Sequence, residues 1–198
     1  MDARLKQRQS PRILHLATHG FFLEDQKRDP NDERFGSGSM SFSESGMQRL
    51  AGTRFENPLL RSGLALANAN LHNPGNDDGI LTALEASGLN LWGTELVVLS
   101  GCDTGVGEVR NGEGVYGLRR AFVLAGAESL VMSLWSVSDY TTRDLMSRYY
   151  KNLKQNMGRG EALRAVQIEM LKQNPRLHPF FWASFIQTGE WTKLADKR

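Results

Sequence analysis

Residues 95–101 read ELVVLSG, and a glycine-rich run, CDTGVGEVRNGEG (102–114), follows at once. Four consecutive apolar residues between Glu95 and Ser100–Gly101 have the length and flanks of a strand buried on both faces. Working outward, RILHLAT (12–18) between Pro11 and Gly20 reads as a second such strand, and SLVMSLW (129–135) as a third. WASFIQTG (182–189) reads as the last strand and GLALAN (63–68) as another. Thr82 to Ser87 reads as a short helix stopped by Gly88, and a longer one is expected over about 113–125, where Val115, Leu118, Phe122 and Ala125 recur at helical spacing. Helices over 139–156 and 160–173 follow, the second with Leu163, Val166, Met170 and Leu171 on one face. Strands alternating with helices imply crossover units and a mostly parallel sheet with helices on both faces. The expected architecture is one layered α/β domain over 1–198. Residues 23–58, rich in Gly, Ser, Asp and Pro, are expected to form an exposed insertion loop, and NPGNDDG (73–79) a turn cluster.

The 198 residues suit one domain with a good core. With 40% hydrophobic and 23% charged residues and a net charge of +2, the chain has ordinary globular composition. It has neither the basic footprint of a nucleic-acid binder nor a polybasic membrane patch. No apolar run approaches a membrane span, because Glu128 and Ser136 interrupt the longest candidates. The polar start MDARLKQRQSPR lacks the apolar segment of a secretory signal. A single cysteine excludes an internal disulfide and argues against a thiolate metal site. A reducing, cytoplasmic setting is the expectation, with no metal.

In open parallel sheets, functional groups collect at the carboxyl ends of the strands. His19 is expected to close the strand RILHLAT, and Cys102 to close ELVVLSG, each beside a glycine-containing turn. If the two strands are neighbours, imidazole and thiol emerge on one rim, where the imidazole can lower the thiol pKa or accept its proton. Backbone N–H groups of Gly20 and Cys102 are candidates for an oxyanion hole, and His19 would protonate the leaving amine. Spacing leaves the bland reading open: a lone cysteine is often a small buried hydrophobe, and a strand-end histidine a hydrogen-bonded structural residue.

Other features read as structure. Gly112 to Gly117 matches GxGxxG, but a dinucleotide turn follows its strand directly, whereas about ten residues intervene here. Glu113 would also set a negative charge beside the phosphates, so a nucleotide site is disfavoured. His15, four residues before His19, is expected to share its face and to be a core histidine. His178, Phe180, Phe181 and Trp182 read as packing, not as a base-stacking platform, and Tyr149 and Tyr150 as helix packing.

The strings HLATHG (15–20), LVVLSGCDTGVG (96–107), GEGVYGLRRAFVLAGAESLVMSLWSVSD (112–139) and HPFFWASFIQTGEW (178–191) resemble, in order, those of the CHAT domains, which belong to the caspase-like peptidase clan. The resemblance implies a caspase-like three-layer fold and a cysteine endopeptidase. It assigns His19 and Cys102 as the catalytic dyad, acting through a thioester acyl-enzyme on protein or peptide substrates without a metal or organic cofactor. It also implies fusion to tetratricopeptide repeats as regulatory partners. Gly101 and Asp103 stand where the family commonly has Ala and Glu, changes expected to keep the turn and its acidic residue. Asp103, Ser136 and Asp139 are candidates for substrate binding, the last two by likeness to an acidic string in separases. A helix cap is the competing role for Asp139, and a turn-forming one for Asp103. The family fold has a further α/β portion before the histidine strand, so an N-terminal part is expected to be missing. The alternative function is a catalytically silent, caspase-like interaction module of a larger signalling protein.

Overall fold

The computed structural model of the chain describes residues 5, 9–23, 58–67, 69, 78–101, 108–110 and 114–195. The expected insertion loop and the turn cluster lie almost wholly outside those residues. In chain order the strands are β1 (Ile13–Leu16), β2 (His19–Phe22), β3 (Ser62–Ala65), β4 (Ile80–Thr82), β5 (Leu96–Leu99), β6 (Glu108–Arg110), β7 (Gly114–Tyr116), β8 (Ser129–Ser133) and β9 (Phe185–Gly189). The helices are α1 (Ala83–Ser87), α2 (Leu118–Leu124), α3 (Asp139–Lys154), α4 (Arg159–Gln173) and α5 (Pro179–Trp182).

The central sheet has the order β1-β5-β8-β9. β1, β5 and β8 are parallel, with Ile13 opposite Leu96 and Val97 opposite Leu130; β9 runs antiparallel to β8. β5 is buried along its whole length because both faces of the sheet are covered. Alternation sends Val97 and Leu99 to one side, where they pack with Ala83 and Ala86 of α1 and Leu118 and Phe122 of α2. Leu96 and Val98 face the other side, against Leu145 and Tyr149 of α3 and Leu163 and Val166 of α4. Two cores thus sandwich one sheet, the mostly parallel three-layer α/β arrangement expected.

Three expectations change in detail. The run 12–18 does not form one strand ending at His19. β1 stops at Leu16, and His19 opens β2, which leaves the central sheet to pair antiparallel with β3, itself antiparallel to β4. The glycines at 114 and 117 do not begin a long helix: 114–116 pair with Glu108–Arg110 as a hairpin, and α2 starts only at Leu118. Trp182 belongs to the short helix α5, so the last strand begins at Phe185.

The helix ends follow from local chemistry. Thr82 caps α1 through a reciprocal box: the Glu85 N–H donates to Thr82 Oγ1 at 3.2 Å, and the Thr82 N–H to Glu85 Oε2 at 2.9 Å. α3 has Ser138 at its N-cap, so Asp139 is its first helical residue and sets its charge at the positive end of the helix dipole. The amino rim of the sheet is latched by two arginines. Arg12 Nε bonds Glu95 at 2.7 Å, and Glu95 accepts the Ala195 N–H at 2.6 Å. Arg159, buried at the start of α4, bonds the Thr192 carbonyl at 3.0 Å, Glu128 at 3.3 Å and the Glu95 carbonyl.

Candidate functional site

The carboxyl rim of the parallel strands carries His19 and Gly20 and the segment that leads to residue 102. β1 and β5 are direct neighbours in register, with Leu16 opposite Leu99. The segments just beyond them, Thr18–His19 and Ser100–Gly101, therefore leave the sheet side by side. Ser100 donates its N–H to the Leu16 carbonyl at 3.1 Å, extending the ladder one step. At Gly101 the two backbones touch: a Cβ built there would lie 1.5 Å from the Thr18 carbonyl oxygen and 3.5 Å from the His19 nitrogen. No side chain fits, so the family's commoner alanine is not a neutral exchange in this chain.

The peptide carbonyl of Gly101, which leads into residue 102, accepts a hydrogen bond from the buried Ser133 Oγ at the end of β8. Thr18 Oγ1 donates to the Ala65 carbonyl of β3 and ties the other flank. Leu23 N donates to the Arg61 carbonyl at 2.7 Å, which makes that cross-strand pair a hydrogen-bonded one. Hydrogen-bonded and non-bonded pairs alternate in an antiparallel ladder. Gly20, opposite Leu64, is then a non-bonded pair, and its N–H points away from β3.

His19 is exposed at the rim, as are Ser136 and Asp139 beyond β8. Cys102 and Asp103 lie outside the described residues. The described residues thus bring His19, Gly20 and the residue before Cys102 to one rim, and place Ser136 and Asp139 after the neighbouring strand. Trp135, between β8 and α3, donates its indole N–H to the Phe180 carbonyl at 3.2 Å, and Phe180 stacks edge-on with Phe181 at 5.1 Å. The aromatic cluster thus packs against the segment after β8.

His15 departs from the sequence reading. It is an exposed residue of β1, not a core one, and it does not share a strand with His19. Its Nε2 lies 2.8 Å from Ser100 Oγ, and its Nδ1 lies 2.9 Å from the Tyr150 hydroxyl of α3. The imidazole and phenol rings are 5.7 Å apart. Desolvation by the surrounding protein lowers the His15 pKa from its usual 6.5 and pushes that of Tyr150 up to about 12. Sequence reasoning missed Ser133, Thr18 and the Ser100–His15–Tyr150 array. The alternation of β5 carried a signal for Ser100, which continues the α3-facing series of Leu96 and Val98.

The layers and the sheet order define a three-layer α/β domain consistent with the caspase-like fold. More specifically, the chain belongs to the CHAT domain family, whose family model matches residues 2–190. The chain is also similar to tetratricopeptide repeat protein 28 of Mus musculus and of Homo sapiens, 33% identical over 119 residues in each case. That match covers 58% of this chain and 5% of the length of those proteins, so the chain corresponds to a small part of them. Among the described residues, no helix is long and apolar enough to cross a membrane.

Proposed function

We propose that this domain is a cysteine endopeptidase in which Cys102 is the nucleophile and His19 its base. The observation that carries the reading is the backbone contact of Gly101 with Thr18–His19, which brings the residue before the cysteine against the histidine segment. Deprotonated Cys102 attacks the substrate carbonyl carbon. The oxyanion is held by the N–H groups of Gly20, which points away from β3, and of Cys102. His19 then gives its proton to the departing amine, and water hydrolyses the thioester. Ser133 holds the Gly101 carbonyl and so positions the peptide entering residue 102. Asp103, Ser136 and Asp139 contact the substrate, the last two from the rim beyond β8. The dyad needs no metal or cofactor. The tetratricopeptide repeats named in the relatives suggest that repeats of this kind regulate the domain, in a reducing, cytoplasmic compartment.

Cys102→Ala and His19→Ala are each expected to abolish cleavage of a sensitive peptide library by the full-length protein. Because the chain has one cysteine, iodoacetamide reads Cys102 alone. Fast alkylation at neutral pH, slowed at least about tenfold by His19→Ala, marks an activated thiol. A second reading, a silent interaction module, draws on the exposed Trp92, Val123 and Leu124 on and beside α2. It expects slow alkylation indifferent to His19, and library cleavage unchanged by either substitution.

A further inference from the structure

The Ser100–His15–Tyr150 array has the connectivity of a nucleophile, a base and an orienting group, and it shares no residue with the Cys102–His19 pair. We propose that it is a second, serine-based acyl-transfer site whose substrates are activated esters, and that Ser100 is its nucleophile. This goes beyond the cysteine-peptidase reading and does not depend on it.

The geometry carries the inference. Ser100 Oγ and His15 Nε2 are at hydrogen-bond distance, 2.8 Å, in the range a nucleophile and its base require. His15 Nδ1 is held at 2.9 Å by Tyr150 OH, which can orient the ring from the far side. The productive tautomer carries its proton on Nδ1, donated to the Tyr150 oxygen, so the Nε2 lone pair faces the Ser100 hydroxyl. His15 is exposed, and Ser100 and Tyr150 are half-buried at the carboxyl rim, so a small substrate can reach the hydroxyl. Desolvation of the ring on its protein side lowers the His15 pKa, which favours the unprotonated base at neutral pH.

The step balances within these residues. Ser100 Oγ bonds to the ester carbonyl carbon while its proton passes to His15 Nε2. The bond from that carbon to the leaving oxygen breaks, and the imidazolium returns the proton to the leaving group. Water then attacks the acyl-serine with Nε2 accepting its proton, and the carboxylic acid leaves as Ser100 Oγ regains a hydrogen. The substrate class follows from the third member. Tyr150, with its pKa near 12, stays neutral and cannot offset the imidazolium charge as a carboxylate does. Good leaving groups such as aryl alcohols are therefore within reach and amides are not.

The test uses an alkyl fluorophosphonate on the Cys102→Ala chain, with the adduct located by peptide mass spectrometry. The probe forms an Oγ–P bond as fluoride leaves. The expected result is an adduct on Ser100, absent in Ser100→Ala and formed at least about tenfold more slowly in His15→Gln, in line with general-base catalysis. Tyr150 is a positioning residue. Removing its hydroxyl in Tyr150→Phe should slow labelling severalfold and move the midpoint of the rate–pH profile, which loss of packing alone would not do. Among the described residues, the groups facing His15 are Ser100 from β5 and Tyr150, with Tyr149 beyond it, from α3. Without any of the array variants, the labelling rate should rise as His15 loses its proton, with a midpoint below 6.5. No adduct on Ser100, an adduct formed equally fast in folded His15→Gln, or a rate that only tracks hydroxide up to pH 9 would each overturn the proposal. Failure of the Cys102 experiments leaves this one intact, and the converse holds.

Discussion

The Thr18 carbonyl occupies the space where residue 101 would carry a Cβ, so the only residue that fits there is the one with none. Gly101→Ala forces two backbones apart and is expected to cost on the order of 2 kcal/mol by chemical denaturation, as overpacking does. Tyr149 predicts the opposite sign. It is wholly buried, its pKa is raised first by desolvation, and its hydroxyl has no hydrogen-bond partner among the described residues. Leaving a buried polar atom unpaired is costly, so Tyr149→Phe should be neutral or stabilising within about 1 kcal/mol; a larger loss would reveal a partner for the hydroxyl. His15 couples stability to acid. Its folded pKa lies below the unfolded 6.5, so on acidification the unfolded chain takes up a proton first. Stability therefore rises with pH across the window just below 6.5 and is lost as pH falls through it. The melting temperature of wild type should drop more between pH 7 and pH 5 than that of His15→Gln, and equal drops would remove His15 from the linkage.

At the scale of elements, α4 owes its placement to its buried face of Ala162, Leu163, Val166 and Met170 and to Arg159 at its start. That guanidinium serves the carbonyls of Thr192 and Glu95 together with the half-exposed Glu128 carboxylate. Arg159→Ala strands these acceptors and should lower stability by about 3 kcal/mol in denaturant titration with an unchanged slope. Arg159→Lys should recover little, since one ammonium cannot span the fork of acceptors. A full recovery would show that charge alone matters. The elements differ in how plainly the chain announced them. β5, β8, α3 and α4 were legible because an unbroken apolar run or a sustained helical period admits one reading. The stop at Gly88 announced α1, whereas its capping box emerged only in the structure. The hairpin of β6 and β7 was hidden, because Val115 and Leu118 happen to fit a helical spacing while cross-strand pairing with Glu108–Arg110 decides the backbone. His19 was legible as a rim residue, but not as the start of a new strand: its partner Ala65 is remote in sequence, and no local signal specifies that pairing. The His15–Tyr150 contact was hidden for the same reason, since Tyr150 lies on α3, far along the chain.

Across the whole molecule, the parallel sheet separates two rims by a strand of four or five residues, roughly 15 Å. The amino rim carries Arg12, Glu95, Glu128, Arg159 and the 190–195 segment, joined by ion pairs and backbone bonds. The carboxyl rim carries His19, Ser100, Gly101, Ser133 and Trp135, joined by close backbone contact and short polar bonds. Sites this far apart, with no shared partner among the described residues, usually contribute additively. The two rims should therefore be separable by experiment. Changes at the latch should lower the free energy of unfolding while the folded state keeps its rim geometry, and changes at the carboxyl rim should alter the environment of residue 102 directly. The single thiol makes that measurable in one chain. Well below each variant's melting temperature, the alkylation rate of Cys102 should stay within about twofold of wild type in Glu95→Gln and Arg159→Ala. In Ser133→Ala, where the Gly101 carbonyl loses its donor, the rate should change severalfold, at a stability cost of about 1 kcal/mol for one hydrogen bond. If the latch variants shift the rate as much as Ser133→Ala does, the rims are coupled through the sheet and the division fails.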